Sequence, residues 1–345
     1  MIRMRMLRDG GQPALEVARE VAEFLGAATQ SLDVALYDIR LDGDEERPVT
    51  EALLDANRRN VPVRILYNVD HPGPIPVPPP PTHVPDLLEA MPFETRPVFG
   101  VPDLMHHKYA IRDGRAVLTG SANWTEDSWS LQENVMVTVE SADLARAYVQ
   151  DFEQLWAGPV QSSGHVEPRP VHIGGATVRA WFTPGRARAL SHRIADRIGH
   201  AKRHVRVCSP VISSGPILGT LAQVVSDGRT DLTGVVDATQ VTQVIDQWRE
   251  NGNAAWKIPL LETVIERGSF TGKRSTPWRP GSRHDFMHAK VTVADDTVFV
   301  GSFNLSRSGE LNAENVLEIE ERGLADRLAA YIDEVRGRYP AFEVQ

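Results

Sequence analysis

The sequence predicts an α/β protein of two homologous α/β/α sandwich domains, related by a pseudo-two-fold axis, with one active site at their interface. Three observations predict it. A long polar motif is written twice, once in each half of the chain. The strand-like segments upstream of the two copies align without gaps. Each half alternates helical and strand-like runs and closes on an amphipathic helix, the pattern of a sheet covered by helices.

Taken in order, the first half opens on the strand-like "IRMRMLRDGG" and the helical run "LEVAREVAEFLG". "AATQSLDVALYDI" and "VPVRILYNVD" follow as strands, the second apolar enough to be buried on both faces. In "HHKYAIRDGRAVLTGSANW", His106 to Trp124, "KYAIR" and "AVLTG" read as strands and Asp113-Gly114 as a two-residue hairpin turn. Side chains alternate along a strand, so His106 and Lys108 share a face and His107 points the other way. If Arg112 and Arg115 flank the turn as a pair, His106 stands opposite Ser121 and Lys108 opposite Thr119. His106, Lys108, Ser121 and Asn123 then converge on one face, while Tyr109, Ile111, Ala116 and Leu118 suit burial on the other. The helix "ADLARAYVQDFEQLWAG" ends the half.

"GPVQSSGHVEPRPVHIGG" reads as a linker rich in Gly, Pro and Ser. It divides the chain into residues 1–158, a linker at 159–175 and residues 176–345. The second half repeats the order: "VRAWFTPG", the helical "LSHRIADRIG", the strands "HAKRHVRVCSPVI" and "TDLTGVVDAT", the motif, and the helix "GLADRLAAYIDEVRGRY".

The repeated motif is His-x-Lys, four residues, Asp, a short run, Gly-Ser-x-Asn, then Glu-Asn-Val. The first copy supplies His106, Lys108, Asp113, Gly120, Ser121, Asn123, Glu133 and Asn134; the second supplies His288, Lys290, Asp295, Gly301, Ser302, Asn304, Glu314 and Asn315. Ala289 stands where the first copy has His107, which singles out His106 as the used histidine. The second copy has one residue fewer between Asp295 and Gly301 than the first has between Asp113 and Gly120. A two-residue turn there would put Ser302 and Asn304 on the face opposite His288, so an odd loop or a bulge is expected in the second hairpin.

Composition bounds the function. At 345 residues, 41% hydrophobic and 24% charged, the chain is an ordinary globular protein with room for two domains. Cys208 is the single cysteine, so an internal disulfide is excluded and a reducing compartment fits. The N-terminus has no apolar signal core and no run is long enough to span a bilayer, which makes a cytoplasmic location the expectation. A net charge of −9 argues against a surface that grips nucleic acid nonspecifically.

Two histidines facing each other across a substrate can divide the work of nucleophile and leaving-group acid. Lysines and amides would hold a group carrying spread negative charge, which describes phosphoryl transfer. Neither copy offers a magnesium-type carboxylate cluster or zinc spacing, so the expectation is a phosphodiesterase with no metal and no cofactor.

The doubled motif resembles that of the phospholipase D superfamily, over essentially the whole chain. The resemblance implies two α/β domains, one shared site and a covalent phosphohistidine. It implies His106 as nucleophile, the role of the N-terminal copy in many members, and His288 as the acid and then the base. Lys108, Lys290, Asn123 and Asn304 would hold the non-bridging oxygens, with Ser121 and Ser302 supporting at the substrate. Glu133 and Glu314 would hydrogen-bond the histidines and fix their tautomers. Asp113 and Asp295 would be structural. The superfamily includes phospholipases, phospholipid synthases and endonucleases, and the motif does not choose among them.

Two loops bear on that choice. "HPGPIPVPPPPTHVPD", including residues 72–85, is stiff and reads either as a substrate wall or as a rigid connector or docking segment, with His71 and His83 solvated. In "FTGKRSTPWRPGSRHDFMH", Lys273, Arg274, Arg279 and Arg283 could meet a phosphate and Trp278 could stack on a base or an acyl chain; the alternative is a solvated basic loop. Trp124 and Trp129 either line an apolar mouth or pack in the core. The favoured substrate is a phospholipid-like phosphodiester, hydrolysed or transferred. The alternative is a nuclease, suggested by the basic loop and the small size, and a catalytically idle binding module is opposed by two intact motifs. The chain is expected to act as a monomer with an internal pseudo-dimer.

Overall fold

Runs of β-branched and apolar residues build two large sheets, beside a short pair of Ile39–Arg40 with Trp124–Thr125, in the computed structural model, which describes residues 1–70, 85–252, 254–277 and 282–344, the side chain of Asp86 excepted. The first sheet has seven strands in the order Ile2–Leu7, Asn134–Glu140, Ala116–Gly120, Lys108–Arg112, Leu32–Leu36, Val63–Val69 and Glu94–Phe99. The second has eight, ordered Val171–Ile173, Ala176–Thr183, Glu314–Glu320, Thr297–Gly301, Val291–Ala294, His204–Cys208, Asp231–Asp237 and Thr271–Lys273. Past the added edge strand Val171–Ile173, the two orders match position by position, so the repeat in sequence is a repeat in topology. That added strand comes from the segment 159–175, whose Val160 and Val166 are buried as well.

Helices cover both faces of each sheet, which is why all five residues of Leu32–Leu36 are buried and apolar but for Asp33. On the outer faces, helices Ala14–Gly26 and Glu46–Arg58 bury Val17, Val21 and Leu53 on the first sheet. Helices Ala187–His200 and Gly215–Asp227 bury Leu190, Ile194 and Leu221 on the second. The two closing helices, Ala142–Ala157 and Arg322–Gly337, face inward. Their Tyr148, Phe152, Leu328 and Ile332 share one core with Val117 and Val137 of the first sheet and Val293 and Leu317 of the second. A single apolar layer therefore joins the halves and fixes their motifs relative to each other.

The motif aspartates build the hairpins. Asp113 accepts hydrogen bonds from the backbone N–H groups of Thr29, Gln30 and Ser31, and Asp295 from those of Lys202, Arg203 and His204. Burial alone would raise both carboxyls, but these donors outweigh it and hold them below their ordinary value.

The hairpin register differs from the expectation. The first hairpin pairs Ala110 with Leu118 and Arg112 with Ala116, so the turn is Asp113-Gly114-Arg115, with Asp113 and Gly114 at φ 56° and 58°. Continued, that register sets Lys108 opposite Gly120 and His106 opposite Ala122, not opposite Thr119 and Ser121. The second hairpin pairs Ala294 with Thr297 across the two-residue turn Asp295-Asp296. The odd loop thus lies in the first hairpin, not the second, because the extra residue is absorbed at its turn. Both hairpins consequently arrive at their motif glycines in the same phase. There the chain leaves the ladder. A Cβ on Gly120 would lie 2.1 Å from the Val135 carbonyl oxygen, and one on Gly301 2.1 Å from that of Asn315, so only glycine allows the departure. The serine and asparagine that follow are placed by this exit and not by strand alternation.

Candidate active site

His106 and His288 line one cavity of about 660 Å³, together with Asn123 and Asn304. The approach of each histidine is pinned by the other half. The His106 N–H donates to the Ala313 carbonyl at 2.9 Å, and the His288 N–H donates to the Glu133 carbonyl at 3.2 Å. Each histidine also meets the backbone of the other copy's motif serine, His106 that of Ser302 and His288 that of Ser121. His107 points away, as alternation requires, and its Nε2 lies 3.0 Å from Asp151 in the central layer.

The two glutamates are not equivalent. Glu314 lies fully buried with Oε2 2.8 Å from His106 Nδ1. Glu133 does not reach His288. Its carboxylate instead takes Lys273 Nζ at 3.0 Å, the Asp9 N–H at 3.3 Å and the Tyr339 hydroxyl. His288 Nδ1 meets Asn134 Oδ1 at 3.1 Å. The cause is a slip of one residue. Gly120 pairs with Met136, whereas Gly301 pairs with Val316, the counterpart of Val135. Glu133 therefore occupies the position that Ala313 holds in the other half, bridging Met287 as Ala313 bridges Met105. A one-residue shift turns a strand's side chains to the opposite face. The expectation that both glutamates hold the histidines is corrected to one.

Burial is the largest influence on both imidazoles and lowers them well below 6.5, and the charges of Lys108 and Lys290 push the same way. Burial brings Lys108 down to about 7, against the pull of Glu314 and Asp38. It lifts Glu314 up to about 7, with Lys108 opposing. Lys290 is also lowered well below its ordinary value, first by burial and then by Lys108. Each lysine donates to the backbone carbonyl of its own motif histidine, Lys108 to His106 and Lys290 to His288, both at 2.6 Å. Neither ammonium is part of the cavity lining; they stand behind the histidines.

The serines also stand behind. Ser121 Oγ donates to Asn134 Oδ1 at 2.7 Å, and Ser302 Oγ accepts from the Asn315 N–H at 3.0 Å. They position the last strand of each half and do not line the cavity. Asn123 and Asn304 differ from every other motif residue: the Oδ1 of each is buried without a partner. Both asparagines line the cavity, which puts their amides within reach of a ligand there.

Among the residues expected at the substrate, Lys273 is buried and spent on Glu133 and Asp9. Arg283 is exposed, 3.6 Å from Asp9, and is not part of the lining. Trp278 and Arg279 lie outside the described residues, as does the proline-rich stretch from 71 to 84. Trp124 and Trp129 are core residues. Cys208 is buried, and burial raises its thiol. The cavity also has members the sequence did not announce. His284, 2.9 Å from Asp127, stacks parallel on Phe286 with ring centroids 5.8 Å apart. Val211, Val244, Trp248 and Leu311 give the walls an apolar character. Only the position of His284 four residues before His288 could have flagged it. Three carboxylates outside the lining, Asp42, Glu45 and Glu126, lie close enough together to hold a cation. Among the described residues no helix is long and apolar enough to cross a membrane.

Residues 21–156 and 194–336 each match the family described as "Cardiolipin synthase, PLD-like domain". The mitochondrial cardiolipin hydrolase of Xenopus laevis is 31% identical over 147 residues, covering 40% of this chain and 60% of that protein. That of Chlamydomonas reinhardtii is 28% identical over 138 residues, covering 39% and 55%. The chain thus spans less than two thirds of the length of these relatives. The phosphatidylserine synthase of Haemophilus influenzae Rd KW20 superposes with a TM-score of 0.67 over 98% of this chain and 86% of that one, at 15% identity, a likeness of fold.

Proposed function

Since the chain belongs to the phospholipase D-like family described as "Cardiolipin synthase, PLD-like domain", we propose that it hydrolyses or transfers a phospholipid-type phosphodiester through a covalent phosphohistidine. The observation that carries the reading is the convergence of His106 and His288 with Asn123 and Asn304, one of each from either half, around one cavity.

In this reading His106 is the nucleophile. Glu314 holds Nδ1 and directs the lone pair of Nε2 at phosphorus. Attack forms the Nε2–P bond and breaks the bond to the leaving alcohol, which takes a proton from His288. The phosphorylated imidazole is cationic, and Glu314 is the carboxylate placed to stabilise it. His288 then removes a proton from water or an incoming alcohol, which displaces Nε2. Asn123 and Asn304 turn their amide N–H groups to the non-bridging oxygens. Lys108 and Lys290, each two residues along from its histidine and bonded to that histidine's carbonyl, supply positive potential from behind and favour the neutral, nucleophilic form of His106 rather than touching the phosphate.

The wall is mixed, and its apolar stretch, Val211, Val244, Trp248 and Leu311, suits an acyl chain, while the basic groups offered for nucleic acid, Lys273 and Arg283, are turned to Asp9. The reading includes residues 1–158 and 176–345 as the two catalytic halves joined by 159–175, working in the cytoplasm. The test is a paired assay with EDTA present, using labelled cardiolipin or phosphatidylglycerol in one arm and single-stranded DNA in the other. Turnover of lipid with phosphate trapped on His106, located by mass spectrometry and lost in His106→Ala, is expected. Turnover of DNA alone, or phosphate on His288 in the His106→Ala variant, overturns the substrate or the assignment respectively.

A further inference from the structure

Large apolar side chains are rarely left in water in groups without a reason. Among the described residues those exposed are Met1 at the terminus and then Phe99, Val101, Trp256 and Leu311, at 67%, 54%, 60% and 37%. Of the last four, Leu311 lines the catalytic cavity, and the other three are each within three residues in sequence of a lining residue. Val101 leads directly into the wall residues Pro102, Asp103 and Leu104, and Phe99 is two residues before it. Leu311 is in the wall itself, and Trp256 precedes the wall residue Lys257.

They are also connected along one rim. The Leu104 N–H donates to Asn312 Oδ1 at 3.0 Å, and the Ala313 N–H donates to the Leu104 carbonyl at 2.8 Å, which ties the Phe99–Leu104 segment to Leu311. Lys257 feels the charges of Glu310 and Arg307, which ties Trp256 to the same helix end. The Lys257 ammonium lies over the rings of Trp248 and Trp256, 5.5 and 5.6 Å from their centroids. Aromatic and aliphatic groups interleaved with Lys257 and Arg307 are the chemistry of a bilayer's headgroup boundary, where an amphipathic ring and a snorkelling cation both find their solvent.

We propose that this rim, Phe99, Val101, Trp256 and Leu311 with Lys257 and Arg307, is a docking surface for a phospholipid bilayer. It would seat the cavity mouth on the membrane, so that a lipid enters without crossing water. The inference rests on the phospholipid reading above and adds to it the surface by which the substrate is reached. A net charge of −9 opposes approach to an anionic membrane, and Arg307 is paired with Glu310 at 3.0 Å, so attachment depends chiefly on the apolar groups at the rim, with Lys257 beside them.

The test uses the whole chain and a triple variant, Phe99→Ser/Val101→Ser/Trp256→Ser, none of whose residues touches the reacting groups. Binding to sonicated vesicles of phosphatidylcholine, with and without cardiolipin, is measured by co-sedimentation. Turnover of a water-soluble nitrophenyl phosphodiester is measured in parallel. The expected result is a fall in vesicle partitioning of roughly tenfold or more with soluble-substrate turnover and melting temperature unchanged. Trp256→Phe, which keeps an apolar ring, should retain most of the binding. Unchanged partitioning in the triple variant overturns the docking surface. So does a wild-type chain that ignores vesicles while cleaving monomeric short-chain lipid, a result that leaves the phospholipid reading standing. Vesicle binding without any lipid turnover does the reverse. A wild-type dimer that the triple variant abolishes would assign the rim to a second copy of the chain and also overturn the proposal.

Discussion

At the scale of single residues, the site is less symmetric than its motifs. Glu314 touches a reacting imidazole and Glu133 does not, so equal substitutions should have unequal effects. Glu314→Gln is expected to lower kcat about 100-fold or more with KM little changed, measured on a soluble diester. Glu133→Gln should leave the pH profile in place but destabilise the fold by about 1–3 kcal/mol, because it takes from the buried ammonium of Lys273 one of its two carboxylate partners and leaves Asp9; urea titration reads this. Comparable losses of kcat in both would restore equivalence. The pH dependence follows from the same burial. A productive free enzyme needs His106 neutral and His288 protonated, and both titrate below 6.5 because burial and the lysine charges disfavour the cation. The bell of kcat/KM therefore peaks between two low values, on the acid side of 6.5, and belongs to the pair. Lys108→Met removes one of the charges, and should move the bell upward if turnover stays measurable. An optimum above pH 8 would contradict the assignment.

At the scale of elements, the hairpins show where a sequence can and cannot be read. The strands, the closing helices and the doubled motif were legible because periodicity and repetition are local. So was the outward turn of His107, whereas the structural role of the aspartates came from the family resemblance. Asp113→Ala should cost about 1–2 kcal/mol by leaving the N–H groups of residues 29–31 without their acceptor, with kcat nearly intact. Gly120→Ala should cost more, since its Cβ has a carbonyl oxygen 2.1 Å away; thermal melts order the two. The register was not legible. Asp113-Gly114 signals a turn, but whether Arg115 belongs to the loop or the strand depends on the neighbouring strands it must match. The slip of Glu133 had no signal either, since both copies have the same number of residues between Asn and Glu. The lysines behind the histidines and the walls of the cavity are tertiary facts, built by segments far apart in the chain.

At the scale of the whole molecule, the closing helices share one core, and hydrogen bonds cross it: Tyr331 donates to the Leu7 carbonyl at 2.8 Å, and Thr119 to Asn315 Oδ1 at 2.6 Å. Both histidines are supplied by one chain, so we propose that the monomer is active. Active-enzyme sedimentation should find turnover travelling with the monomer; activity confined to a dimer would contradict this. Turnover should also persist in EDTA, since in the proposed mechanism the groups around His106 and His288 supply nucleophile, acid and charge without a cation. The acidic trio Asp42, Glu45 and Glu126 lies outside the cavity lining. Loss of activity in chelator, restored by magnesium, would place that trio or another cation in the mechanism.

The slipped strand has a consequence for how such chains inherit their roles. Duplication hands both descendants the same letters, and the usual route to divergence is to change some of them. Here the letters Glu-Asn-Val persist in both descendants, and the difference is one of phase. Any column of aligned sequences would put Glu133 and Glu314 side by side and transfer one label to both. Yet one bonds a histidine of the cavity and the other is a strut between the halves.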